Sequence, residues 1–123
     1  MEPVKKILIV DDDYEFRAIV KDIFKAEGFV ATDVADGIGA ISEFSVSRPD
    51  VVILDYRMPT VTGIDLLRAL KRMDSKVPII MLTASNEIDL AKEACRFGIS
   101  SFISKPPDFQ KLILTVKNLA ESN

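Results

Sequence analysis

Five short apolar runs recur along the chain, at residues 7–10, 30–34, 51–54, 79–82 and 101–104, and longer segments with helical spacing separate them. Runs of this length bounded by turn residues read as strands. Strand alternating with helix is the pattern of a parallel sheet covered by helices on both faces. Residues 7–10, 51–54 and 79–82 are apolar throughout, as central strands buried on both sides must be. Residues 30–34 alternate, with Thr32 and Asp33 polar, and so read as an edge strand.

The connections carry matching signals. Phe16, Val20, Ile23, Phe24 and Glu27 lie at helical spacing, and Gly28 stands where a left-handed cap ends the first helix. A second helix is predicted over 38–46, after the Asp36-Gly37 turn and ahead of Pro49. A third runs from Gly63 to Met73, and a fourth covers 87–97 and stops at Gly98. The last starts at Asp108, a good N-cap, and continues through Phe109, Leu112, Ile113 and Val116. No repeat or linker breaks the pattern, so residues 1–123 read as one α/β domain, a doubly wound (βα)5 with a five-stranded parallel sheet of order 2-1-3-4-5. Such a sheet holds its ligand outside the carboxyl ends of the strands, where the order reverses.

Composition removes several functions. A net charge of −3 with no basic run gives no pull toward nucleic acid. The apolar blocks, such as Ile7-Leu8-Ile9-Val10, fall far short of the ~20 residues of a membrane span. The first block runs into three aspartates, which excludes a signal peptide. A lone Cys95, read as a small packing residue on the fourth helix, fits a reducing cytoplasm. With no histidine in the chain, any chemistry rests on carboxylates, lysine and hydroxyls.

The strand ends supply those groups: Asp11, Asp12 and Asp13 after the first run, Asp55 after the third, Thr83 after the fourth and Lys105 after the fifth. Each has a structural alternative. Asp12 or Asp13 can cap the first helix, and Asp12 with Glu15 reads as a capping box. Asp55 can be a turn residue before Pro59, Thr83 a helix cap and Lys105 a solvated loop lysine. Their joint placement argues against five separate accidents. Carboxylates gathered this closely repel by about 4 kcal/mol per pair at an effective dielectric near 20. All-oxygen donors suit Mg²⁺, which takes one or two carboxylates, several waters and a substrate phosphate.

The sequence resembles the receiver domains of two-component response regulators over essentially its full length. The resemblance is carried by Ile7-Leu8-Ile9-Val10-Asp11-Asp12-Asp13, Leu54-Asp55-Tyr56-Arg57-Met58-Pro59 with Gly63, Leu82-Thr83-Ala84 and Ser104-Lys105-Pro106. It implies a flavodoxin-like fold and a cytoplasmic phosphoprotein that acts as a switch rather than a turnover enzyme. Asp55 is then the phospho-acceptor. Asp12 and Asp55 sit directly on Mg²⁺, Asp11 acts largely through water, and the backbone carbonyl of Arg57 adds a ligand. Lys105, on a cis peptide to Pro106, neutralises the phosphoryl oxygens, Thr83 donates its hydroxyl to one of them, and Ala84 leaves room for the group. The donor is a phosphohistidine on a histidine kinase or a histidine phosphotransfer protein.

By the same resemblance Thr83 and Phe102 form the switch, and the output face is the fourth helix, fifth strand and fifth helix. Arg57 and Ser85 flank the site where they tune hydrolysis. The downstream partner is an effector protein, or an output domain attached to a longer chain and absent here. Direct nucleic-acid and membrane partners are not expected. Two rivals remain on the residues alone. In a haloacid-dehalogenase-like phosphatase, Asp11-x-Asp13, Thr83 and Lys105 would be the motifs, although no second acidic pair follows Lys105. The other rival is a receiver fold used as an unphosphorylated interaction module.

Overall fold

The computed structural model describes residues 4–84, 89 and 92–121. Five parallel strands, β1 (Lys6–Val10), β2 (Val30–Val34), β3 (Val51–Asp55), β4 (Ile79–Thr83) and β5 (Ser101–Ser104), form one sheet of order β2-β1-β3-β4-β5. Among the described residues, four α-helices of defined extent connect or follow them: α1 (Tyr14–Ala26), α2 (Gly37–Ser47), α3 (Gly63–Met73) and α4 (Phe109–Glu121). The order reverses between β1 and β3, as expected, and β2 is an edge.

Strand alternation sorts the core into two layers. Ile7 and Ile9, Val51 and Ile53, Ile80 and Leu82, and Ile103 pack with Val20 and Phe24 of α1 and with Leu112, Val116 and Ala120 of α4. Leu8 and Val10, Val52 and Leu54, and Ile79 and Met81 pack on the other side with Phe44 of α2 and with Leu66, Leu67 and Leu70 of α3. β3 and β4 are buried along their whole length, which is why they show no alternation in sequence. Each such aliphatic side chain contributes about 1.5–3 kcal/mol.

The helix ends are set by side chains. Asp13, not Asp12, caps α1: its Oδ1 accepts from the Phe16 N–H at 3.2 Å. That corrects the Asp12–Glu15 capping box, because Asp13 holds the extended backbone a cap requires. α1 ends at Ala26 with Glu27 as its C-cap, and Gly28 follows in the left-handed region with φ of 93°. Asp36 caps α2 through the Gly39 N–H at 2.7 Å, and Thr62 caps α3 through the Asp65 N–H at 3.2 Å. Asp108 accepts from the Gln110 and Lys111 N–H groups and starts α4 as expected.

The α-helix predicted over 87–97 is met at Asp89 and gives way to a tighter helix in its second half. Residues 87, 88, 90 and 91 lie outside the described residues, and Lys92–Phe97 form a 3-10 helix. Its three-residue period turns Ala94 and Phe97 toward the core, while Cys95 points outward and is exposed. Cys95 is therefore not the packing residue expected; Ala94 is.

Candidate functional site

The same alternation that builds the core delivers the polar residues. Asp11 continues the parity of Ile7 and Ile9, Asp55 that of Val51 and Ile53, and Lys105 that of Ile103, so all three leave the sheet on the α1/α4 side. β1 and β3 are neighbours, which brings Asp11 and Asp55 side by side. Lys105 reaches across from the edge: its Nζ lies 2.8 Å from Asp11 Oδ2 and 3.7 Å from Asp55 Oδ2. Asp12 sits exposed in the following turn, and one carboxylate oxygen each from Asp11, Asp12 and Asp55 lie within 4.8 Å of one another.

Backbone contacts hold the end of β3 that carries Asp55. The Tyr56 N–H donates to the Leu82 carbonyl at 2.9 Å, and the Gly63 N–H donates to the Tyr56 carbonyl at 2.7 Å. Gly63 is needed for this approach, since a Cβ there would lie 2.7 Å from Tyr56 Cα and 2.9 Å from the Asp55 carbonyl oxygen. Thr83 follows the parity of Met81, on the α2/α3 side, and its hydroxyl donates to the Ala84 carbonyl at 3.2 Å. Thr83 pairs in register with Ser104, and Met81 with Phe102. Phe102 is half-buried against the α2/α3 layer. The Lys105-Pro106 peptide is cis.

Among the described residues the buried polar side chains are Asp11, Asp55 and Thr83. Burial first, and the Asp11 charge second, push the Asp55 carboxyl up from 3.8 to about 7, against the opposing pull of Lys105 and the Arg57 N–H. Burial opposes the charge on Lys105 too, but its hydrogen bond to Asp11 and the nearby carboxylates outweigh burial and raise its pKa. With all three carboxylates ionised, three negative charges face one ammonium and two remain unmatched, a deficit that a divalent cation would fill. The oxygen-only donor set suits such an ion.

A sequence profile for the response regulator receiver domain matches residues 7–117. The chain belongs to the response regulator receiver family. This receiver is 34% identical to sporulation initiation phosphotransferase F of Bacillus subtilis over 92% of its own length and 91% of that protein. It is 35% identical to the regulatory protein AtoC of Escherichia coli, of which it spans only 25%. Among solved structures it superposes on a receiver domain from Clostridium thermocellum with a TM-score of 0.92 at 26% identity, covering 97% of this chain and 96% of that one. Vibrio cholerae chemotaxis protein CheY4 superposes with a TM-score of 0.89 at 28% identity, covering 95% and 99%. The receiver is a phosphoryl-accepting signalling switch, and among its described residues no helix is long and apolar enough to cross a membrane.

Of the residues singled out in sequence, the receiver fold gathers Asp11, Asp12, Asp55 and Lys105 into one cluster and sets Thr83 at the end of the adjoining strand. Asp13 stands apart as a helix cap, which removes the second acid that a dehalogenase-like site needs. Arg57 lies exposed just beyond Asp55, and Ser85 lies outside the described residues. Sequence reasoning missed two contributors. The Phe16 ring lies 4.5 Å from Lys105 Nζ, and Arg17 binds both Asp33 and the Asp11 carbonyl. The charged Asp33 within the short strand β2 was the available signal for the second.

Proposed function

We propose that this receiver, acting as one unit over residues 1–123 in a reducing cytoplasm, takes a phosphoryl group from a partner's phosphohistidine onto Asp55 and catalyses that transfer itself. The supporting observation is the convergence of the Asp11, Asp12 and Asp55 carboxylates beside a single ammonium, Lys105. Asp12, Asp55 and the Arg57 carbonyl would hold Mg²⁺, with Asp11 acting through water. Bound there, the ion supplies charge neutralisation for the transferring phosphoryl group.

The Asp55 carboxylate is the nucleophile. Its oxygen forms the new O–P bond while the P–N bond to the donor imidazole breaks and the electron pair leaves with the ring nitrogen. Lys105, poised between Asp11 and Asp55, turns its ammonium to a phosphoryl oxygen. Thr83 exchanges its weak bond to the Ala84 carbonyl for a charge-assisted one to the phosphoryl group. Its movement frees volume beside β5, and Phe102 turns inward to fill it, changing the face formed by the 3-10 helix, β5 and α4. That face controls an effector protein, or an output domain in a longer chain.

Incubation with acetyl phosphate and Mg²⁺, followed by intact-mass measurement, tests the assignment. One phosphoryl adduct is expected, absent in EDTA and absent in Asp55→Asn. An adduct that persists in either case overturns it.

A further inference from the structure

The guanidinium of Arg17 is engaged far more fully than a surface ion pair requires. Arg17 lies in the first turn of α1, and its side chain is only 11% exposed. Its Nε donates to Asp33 Oδ2 at 2.9 Å, and its Nη1 donates to the Asp11 carbonyl at 2.8 Å. Lys21 Nζ holds the other Asp33 oxygen at 2.9 Å, and the Tyr14 ring covers the guanidinium at 5.6 Å. An ion pair this sheltered gains little net stability over an apolar pair of the same shape. Its distinctive product is geometric.

The Asp11 carbonyl belongs to the peptide that joins Asp11 to Asp12. Around that peptide the chain separates a buried carboxylate from an exposed one, yet keeps their oxygens within 4.8 Å of each other and of Asp55. The turn is gripped at three points. The Asp11 N–H donates to the Val34 carbonyl at 3.2 Å, Asp11 Oδ1 accepts from the Asp13 N–H at 2.9 Å, and Arg17 takes the carbonyl. Of these, only the Arg17 contact fixes the plane of the Asp11–Asp12 peptide from outside the turn, and it does so from an anchor on β2.

We propose that Arg17, anchored by Asp33, is a positioning residue that sets the Asp11–Asp12 peptide and thereby the affinity of the acidic cluster for a divalent cation; this rests on the metal-assisted reading of the site. Arg17 touches neither phosphoryl group nor metal. A planar fork serves two acceptors at fixed relative positions, which a lysine ammonium at the same position cannot reproduce.

Calorimetric titration of the whole chain with Mg²⁺ alone tests this, alongside melting curves in EDTA. Outer contacts of this kind change metal affinity by about 10–100-fold. Arg17→Lys, which keeps the charge, and Asp33→Asn, which removes the anchor, are each expected to weaken Mg²⁺ about tenfold at temperatures well below their melting points. Lys117→Gln, which breaks the separate Lys117–Glu27 ion pair, should leave Mg²⁺ affinity within about twofold. Unchanged affinity in folded Arg17→Lys and Asp33→Asn overturns the proposal, as does an equal loss in Lys117→Gln. A wild-type chain that takes up no Mg²⁺ overturns the metal-assisted reading and this proposal with it, a result distinct from a wild type that binds and variants that bind equally well.

Discussion

Replacing Asp55 by Asn should make the metal-free protein more stable at neutral pH, although it removes the proposed acceptor. Burial and the Asp11 charge lift the Asp55 carboxyl from 3.8 to about 7 in the folded chain. Folding therefore opposes ionisation of this group. Well below pH 3.8 the carboxyl is protonated in folded and unfolded chains alike, and its full stabilising effect is present. As pH rises toward 7 the unfolded chain releases a proton that the folded chain keeps, and stability falls. A displacement of about three pH units is worth about 4 kcal/mol once the pH exceeds 7. Urea unfolding in EDTA between about pH 4 and pH 8 reads this directly. The wild-type curve should lose about 4 kcal/mol more than the Asp55→Asn curve over that range. Comparing slopes rather than single values removes the other titrating groups, which the two chains share. Mg²⁺ should flatten the wild-type slope and leave the variant unaffected. Parallel slopes in EDTA would refute the electrostatic account of the site.

Three further outcomes follow from the same geometry. Asp12→Ala should abolish the Mg²⁺-dependent rise in melting temperature, which in the wild type corresponds to about 1.4 kcal/mol at ten times the Kd; a persistent rise means Asp12 is no ligand. Gly63→Ala forces a methyl group against the backbone of Tyr56 and Asp55, costing about 1–3 kcal/mol in denaturant unfolding and slowing acetyl phosphate labelling of Asp55. Thr83→Ala should leave Asp55 able to accept a phosphoryl group while confining the amide shifts induced by beryllofluoride to the site; wild-type shifts that never reach residues 92–104 would remove the transmission route through Phe102.

What the sequence disclosed, and what it withheld, divides along a physical line. Burial leaves a periodic trace, so the five strands and the two-sided cover of β3 and β4 were legible from Val51-Val52-Ile53-Leu54 and Ile79-Ile80-Met81-Leu82. The sheet order then placed Asp55 and Asp11 together without any knowledge of side-chain contacts. Alternatives with equal chemistry left no trace. Asp11, Asp12 and Asp13 are identical as letters, and only the backbone angles assign one to the lysine, one to the solvent-facing edge of the cluster and one to the helix cap. Ala94 and Cys95 are both small, and the helix type between them and the core decides which is buried.

Contacts to main-chain atoms were the least visible of all. Every residue carries a carbonyl, so nothing in the sequence marks the one at Asp11 as the acceptor for Arg17. The consequence bears on how such a site is built. Asp11, Asp55 and Lys105 repeat the strand parity beneath them, and a sheet in the right order holds them in place. Asp12 lies past the end of β1, where strand hydrogen bonding no longer fixes the chain. Its placement depends on the turn, and the turn depends on the Asp11 carbonyl, the Asp13 N–H and the Val34 carbonyl. Asp12 is thus the cluster carboxylate whose geometry is most open to adjustment, and Arg17 and Asp33, neither of them in the cluster, are side chains that hold the turn carrying it.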